Sequence, residues 1–157
     1  MKNTLLLLLG LPATAIFLGI KKLQELKTSI KNLEIKLDKI YDIRIDVLQN
    51  EASFFADFSI TNPTDKNLNL QSAGLITLKR ILFYDRSGNL IASANIGVSS
   101  ILINKGKSLE LVRIPFQTKL TNGISKLQSF LKDKNNKDLL IELELQAFNK
   151  IYKTGLK

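Results

Sequence analysis

ASFFADFSITNPTDKNLNL, residues Ala52 to Leu70, decides how the rest of the chain is read. Phe54, Ala56, Phe58 and Ile60 alternate with Phe55, Asp57, Ser59 and Thr61, which puts four apolar side chains on one face of an extended strand. Asn62-Pro63-Thr64-Asp65 then ends it, because proline removes a ladder donor and holds Asn62 extended, while Asp65, Lys66 and Asn67 suit a turn. Leu68 and Leu70 resume the two-residue spacing. A strand closed by Asn-Pro-Thr and answered by a second strand predicts a layered β domain.

Upstream, Leu33, Ile35 and Leu37 alternate with Glu34, Lys36 and Asp38, and Ile43, Ile45 and Val47 share a face opposite Asp42, Arg44 and Asp46. Gln49-Asn50-Glu51 forms a polar break. Downstream, Leu75 to Tyr84 changes apolar phase around Lys79-Arg80, the sign of a β-bulge or of a strand crossing between sheets. Asp85-Arg86-Ser87-Gly88-Asn89 reads as a hairpin loop, with Gly88 free to take positive φ. Leu90 to Ala94 returns. Val98 to Ile103 and Leu109 to Phe116 are joined by a second turn, Asn104 to Lys107. Thr121 or Asn122 caps a short helix, Gly123 to Lys134, with Ile124, Leu127, Phe130 and Leu131 on its buried side and closing one end of the layers. Leu139, Ile141, Leu143, Leu145 and Ala147 alternate most cleanly, and the basic tail Lys150 to Lys157 is expected to fray. These elements predict a mostly β fold, an antiparallel immunoglobulin- or fibronectin-like β-sandwich with one late helix. At roughly 1.5–3 kcal/mol for each buried large apolar side chain, the inward set supports a core without disulfides.

The amino-terminal stretch is of another kind. Thr4 to Ile20 contains no charge and reaches the lower length for a membrane-crossing helix, with Leu5, Leu9, Pro12, Ile16, Phe17 and Ile20 as its anchor residues. Lys21 and Lys22 would meet lipid headgroups. Ala13-Thr14-Ala15 offers the alternative of a signal-peptide cleavage site, against which Ile16 to Ile20 prolongs the apolar run. Lysines after the segment place the following domain on the cytoplasmic side. Leu23, Leu26, Ile30, Leu33, Leu37 and Ile40 also keep coiled-coil spacing, so a stalk that oligomerises competes with a strand beginning at Leu33. The reading divides the chain into an anchor and juxtamembrane helix, 1–32, and a β domain, 33–157.

Composition excludes much. Among 157 residues there is no Cys, His or Trp, which removes disulfides, thiolate metal sites and the commonest general base. The net charge is +9; five lysines against Glu25 leave residues 1–32 at +4, and 18 basic against 13 acidic side chains leave the other 125 at +5. No Lys/Arg cluster is interleaved with aromatics, so nucleic acid is not an expected partner. The carboxylate pairs Glu142/Glu144 and Asp42/Asp46 fall on outward faces, where a solvated strand that discourages aggregation explains them better than acid–base catalysis. Asp85 and Asn89 give too few oxygens for calcium. Tyr41, Tyr84 and Tyr152 are isolated aromatics on strands. Asn62 is expected to bond the local backbone. Scattered glycines build no phosphate loop. No catalytic, cofactor or metal residue is expected.

The run FADFSITNPTDKNLNLQSA, and above all Ile60-Thr61-Asn62-Pro63-Thr64, resembles the type 2 late-embryogenesis-abundant family, also called water-stress and hypersensitive-response (WHy) domains. The resemblance spans about Leu33 to Phe148 and includes Ser108 to Phe116 with its Ile114-Pro115-Phe116; it departs at a weak final strand around Tyr152. It implies a fibronectin-type sandwich, frequent membrane attachment and no catalytic residues. Together these readings predict a non-enzymatic, single-pass membrane protein whose partners are the bilayer and a protein. Its concrete form is a scaffold, such as a virion component linking membrane to capsid in a lipid-containing phage. The alternative is a stress- or desiccation-protective protein.

Overall fold

The computed structural model describes residues 24, 25, 27–69, 76–99, 101–121, 139–147 and 149–154. Nine strands follow in order: β1 (Glu34–Asp46), β2 (Glu51–Thr61), β3 (Leu68–Asn69), β4 (Ile76–Asp85), β5 (Leu90–Ser99), β6 (Leu102–Ile103), β7 (Ser108–Lys119), β8 (Leu139–Ala147) and β9 (Lys150–Lys153). β2 strictly alternates, with Phe54, Ala56, Phe58 and Ile60 buried as its spacing predicts.

Seven strands hydrogen-bond into one antiparallel sheet, in the order β1-β2-β7-β5-β4-β8-β9, and β3 pairs separately with β6. The predicted membrane-anchored sandwich is corrected here in two respects. The main strands share one sheet, because β7 runs on past the core to meet β5 at the Ser93–Gln117 pair. The Thr118 hydroxyl, donating to the Ile91 carbonyl, strengthens that corner. Among the described residues, moreover, no helix is long and apolar enough to cross a membrane. The described helical stretch at 27–32 is under two turns and carries Lys27 and Lys31. Thr4 to Ile20, with Leu5, Leu9, Pro12, Ile16, Phe17, Ile20 and the following Lys21 and Lys22, lies outside the described residues.

The sheet folds over at this corner, so strands that are not neighbours face each other. Phe83 of β4 packs on Phe58 and Phe54 of β2 with ring centroids 5.8 and 6.4 Å apart, and on Phe116 of β7 at 4.8 Å. Ile30 and Leu33 are buried in the same core, which joins the helical stretch to the sheet.

Several local expectations hold. Both neighbours of β4 shift register between Leu78 and Arg80, which is the bulge that the phase change at Lys79-Arg80 requires. Gly88 sits at φ 80° in the β4–β5 hairpin, where the Asp85 carboxylate accepts from the Asn89 amide N–H at 2.8 Å. Others do not. The tail does not fray at its start: Lys150 to Lys153 forms β9, in register with Ala147 to Glu144. Helix begins at 120–121, and the predicted 123–134 segment lies outside the described residues.

Candidate functional site

Three polar constellations stand out, and they differ in what they can do. The first is the Asn62 turn. Asn62 is fully buried, and its Nδ2 donates to the carbonyls of Lys66 at 2.8 Å and Ile103 at 3.1 Å. Its Oδ1 accepts from the Thr64 backbone at 3.2 Å and the Thr64 hydroxyl at 2.7 Å. Its main chain bonds Lys107 and Gly106 in the β6–β7 turn. All its hydrogen-bonding capacity is thus used to pin the strand end to a hairpin some 40 residues away, at Ile103. Ile60 to Thr64 is therefore a structural lock. Its local bonds match the reading of Asn62 as a backbone-bonding residue, and its long-range ones exceed it.

The second lies on β8. Glu142 and Glu144 were expected on a solvated face, and this is corrected: they are 8% and 3% exposed. The cause is their neighbours, which the alternation of β8 alone does not reveal. Arg80 from β4 donates through Nε to Glu144 at 2.7 Å, and Lys153 from β9 reaches Glu142 at 2.8 Å and Glu144 at 3.3 Å. The Tyr84 hydroxyl adds a bond to Glu142 at 3.3 Å. Two cations answer two carboxylates, so the group is a satisfied network with both acids engaged.

That network carries a pH dependence. The Glu142 hydrogen bond raises the Lys153 ammonium above its ordinary range, and burial, followed by the Glu142 charge, raises the Tyr84 phenol. In both, the folded state holds its proton more tightly than the unfolded chain. The stabilisation is complete below about pH 10, the unfolded value, and is lost as pH rises through the folded values. Urea midpoints measured from pH 8 to 11.5 should stay level to about pH 10 and then fall; the Tyr84→Phe/Lys153→Met double variant should flatten the fall.

The third is on the outer face of β1, β2, β7 and β5. A cavity of about 480 Å³ opens there, and Phe55, Pro115, Arg44, Arg113, Asp42 and Asn95 are among its lining residues. Arg113 lies over the Phe55 ring, 4.7 Å from its centroid, and Tyr41 stacks on the other end of the pair at 6.1 Å. The Asp57 carboxylate fixes both flanks, accepting from the Arg113 backbone N–H at 2.7 Å and the Tyr41 hydroxyl at 3.0 Å. Asp42 and Arg113 occupy left-handed backbone, at φ 53° and 58°, in the bulges on either side of β2. Asp42 and Asp46 are both exposed. Arg113 and Asp42 approach to 4.0 Å and remain 66% and 53% exposed. Sequence reading missed this site: neither bulge shows in the alternation, and Tyr41 looked isolated.

A second cavity, of about 550 Å³, adjoins it through Arg44, Ser53 and Gln117 and is lined by Ile45, Val47 and Leu48. These belong to the β1–β2 hairpin, whose turn leaves Val47 77% and Leu48 99% exposed. Tyr152 instead packs against the core. Among the described residues no group of acidic side chains is placed to hold a metal ion.

No family model and no curated protein matches this chain. Solved structures do. An X-ray structure of the structural-genomics target SoR45 aligns over 82% of this chain and 84% of its own, at 7% identity and a TM-score of 0.39. A β-glucuronidase of glycoside hydrolase family 2 aligns over 78% of this chain but only 11% of its own, at 14% identity and 0.31. A solution structure of a candidate late embryogenesis abundant (LEA) protein aligns over 92% of this chain and 87% of its own, at 13% identity and 0.28. That last class is the one the Ile60–Thr64 resemblance implies, at a likeness too remote to assign the chain to it. Nothing in these likenesses supports a membrane-anchored virion component, and the single-pass, cytoplasm-facing placement is likewise without support.

Proposed function

We propose that this chain is a non-catalytic interaction module that docks a protein partner on the β1–β2 hairpin and the adjoining outer face. The observation that carries the reading is the apolar hairpin tip. Val47 and Leu48 project beyond the core, with Ile43 and Ile45 exposed behind them. Folding stability gains nothing from side chains left in water, whereas an interface gains from burying them. The buried acidic side chains are already engaged, Glu142 and Glu144 by Arg80 and Lys153 and Asp85 by Asn89, which favours a binding role over acid–base chemistry.

The test is partner capture by the full chain, read as stoichiometry. Val47→Glu/Leu48→Glu should melt within a degree or two of the parent, because both sites are exposed. It should also lose a partner that the parent retains at fixed ratio. Equal capture by both forms contradicts the reading. The protective reading rests on the Ile60–Thr64 resemblance. It predicts instead that parent and double variant alike preserve unrelated enzymes through drying.

A further inference from the structure

We infer that the cavity of about 480 Å³ on the outer face of β1, β2, β7 and β5 binds a neutral oligosaccharide. Its volume falls in the range of small-ligand sites, roughly 300–1,000 Å³. The site goes beyond the docking reading and does not depend on it, since that reading stands on the apolar hairpin tip. Two observations carry it.

The first is the balance of charge. Arg44, Arg113 and Asp42 line the cavity and Asp57 lies beside it, two cations to two carboxylates. Asp57 is taken up by the Tyr41 hydroxyl and the Arg113 N–H, and Arg113 faces Asp42 at 4.0 Å. Arg44 shares the outer face of β1 with Asp46, two residues on. An ion brought here therefore meets a like charge beside every opposite one. A sugar hydroxyl both donates and accepts. Neighbouring hydroxyls of one ring reach Asp42 and Arg113 together, donating to the carboxylate and accepting from the guanidinium.

The second is the rest of the lining. Phe55 and Pro115 are cross-strand partners on β2 and β7 and give the cavity an apolar side, against which the C–H surface of a pyranose packs. Ser53, Asn95 and Gln117 add a hydroxyl and two carboxamides. Among the described residues, none of these three side chains is spent on a hydrogen bond. Uncharged groups that donate and accept, set about an apolar patch, match the mixed hydroxyl and C–H surface of a sugar. The frame is also fixed beforehand. Asp57, on the strand between the two bulges, bonds Tyr41 beside one and Arg113 in the other, so the charged pair keeps its spacing before a ligand arrives.

The experiment is isothermal titration of the full chain with cellotriose, maltotriose and triacetylchitotriose, with trigalacturonate and glycine betaine as anionic and zwitterionic controls. At least one neutral trisaccharide should bind with a Kd of about 1 mM or below, and neither control should bind more tightly. Phe55→Leu keeps apolar bulk without the ring and should weaken that binding about fivefold. Asn95→Ala and Asp42→Asn should each weaken it about threefold or more, asparagine being suited to the left-handed backbone at position 42. All three variants should melt within about two degrees of the parent, because the sites are half-buried or exposed. Val47→Glu/Leu48→Glu lies outside this cavity and should leave sugar affinity within about twofold. Binding of none of the three sugars, tighter binding of a control, or affinity indifferent to Phe55→Leu, Asn95→Ala and Asp42→Asn overturns the inference. In that event the Val47/Leu48 variant still judges the docking reading on its own.

Discussion

Asn62→Ala is expected to lower unfolding stability by about 3 kcal/mol, among the largest losses available to a polar residue in this chain. The side chain makes four hydrogen bonds from a fully buried position, two to carbonyls and two from Thr64. Removing it leaves the buried Ile103 carbonyl without that partner and unfastens the β2 end from the β6–β7 turn. Asn62→Asp should be no better, because it keeps the acceptor but loses both donations and buries a charge. Thr64→Val removes only the hydroxyl share and should cost about 1 kcal/mol. Denaturant midpoints at constant m-value measure all three; an Asn62→Ala loss no larger than that of Thr64→Val would show that the turn is not a lock.

Phe83→Ala is expected to cost about 4 kcal/mol. Its ring is fully buried and meets Phe54, Phe58 and Phe116 together, so truncation opens a cavity where the folded-over halves of the sheet touch. Phe55→Ala, on the outer face between Tyr41 and Arg113, should cost about 1 kcal/mol or less because it leaves no enclosed void. The ratio of the two is the useful quantity. Similar losses would mean that the alternation of β2 has been assigned to the wrong faces.

What was legible in the sequence is what is local. The inward set of β2, the hairpin at Gly88 and the bulge at Lys79-Arg80 follow from spacing and turn chemistry within a few residues, and the structure carries each of them. Partner choice is not local. That β7 continues to Lys119 and meets β5 at Ser93–Gln117 depends on residues 24 apart, and alternation assigns a face but never a neighbour. Glu142 and Glu144 show the same limit. Their outward phase was read correctly, but their burial is made by Arg80, 64 residues from Glu144 in sequence, and by Lys153 from a strand that its weak apolar pattern concealed. The docking face escaped for a related reason. The bulge at Arg113 puts a charged residue on the phase of Leu109 and Leu111, which period-two reading gives to apolar side chains, and only the folded sheet brings Arg44, Phe55 and Arg113 to one cavity. The membrane expectation came from Thr4 to Ile20, the lysines that follow it and the family resemblance, and no helix of the described residues is long and apolar enough to cross a membrane.

Amide hydrogen exchange of the full chain with and without its captured protein partner tests the docking face most directly. Slower exchange should be confined to residues 43–53, Asn95 and residues 113–117, with the β8–β9 pairing unchanged. Protection centred on β8 and β9, or no protection at the hairpin and Arg113, would contradict the assignment of this face as the binding surface.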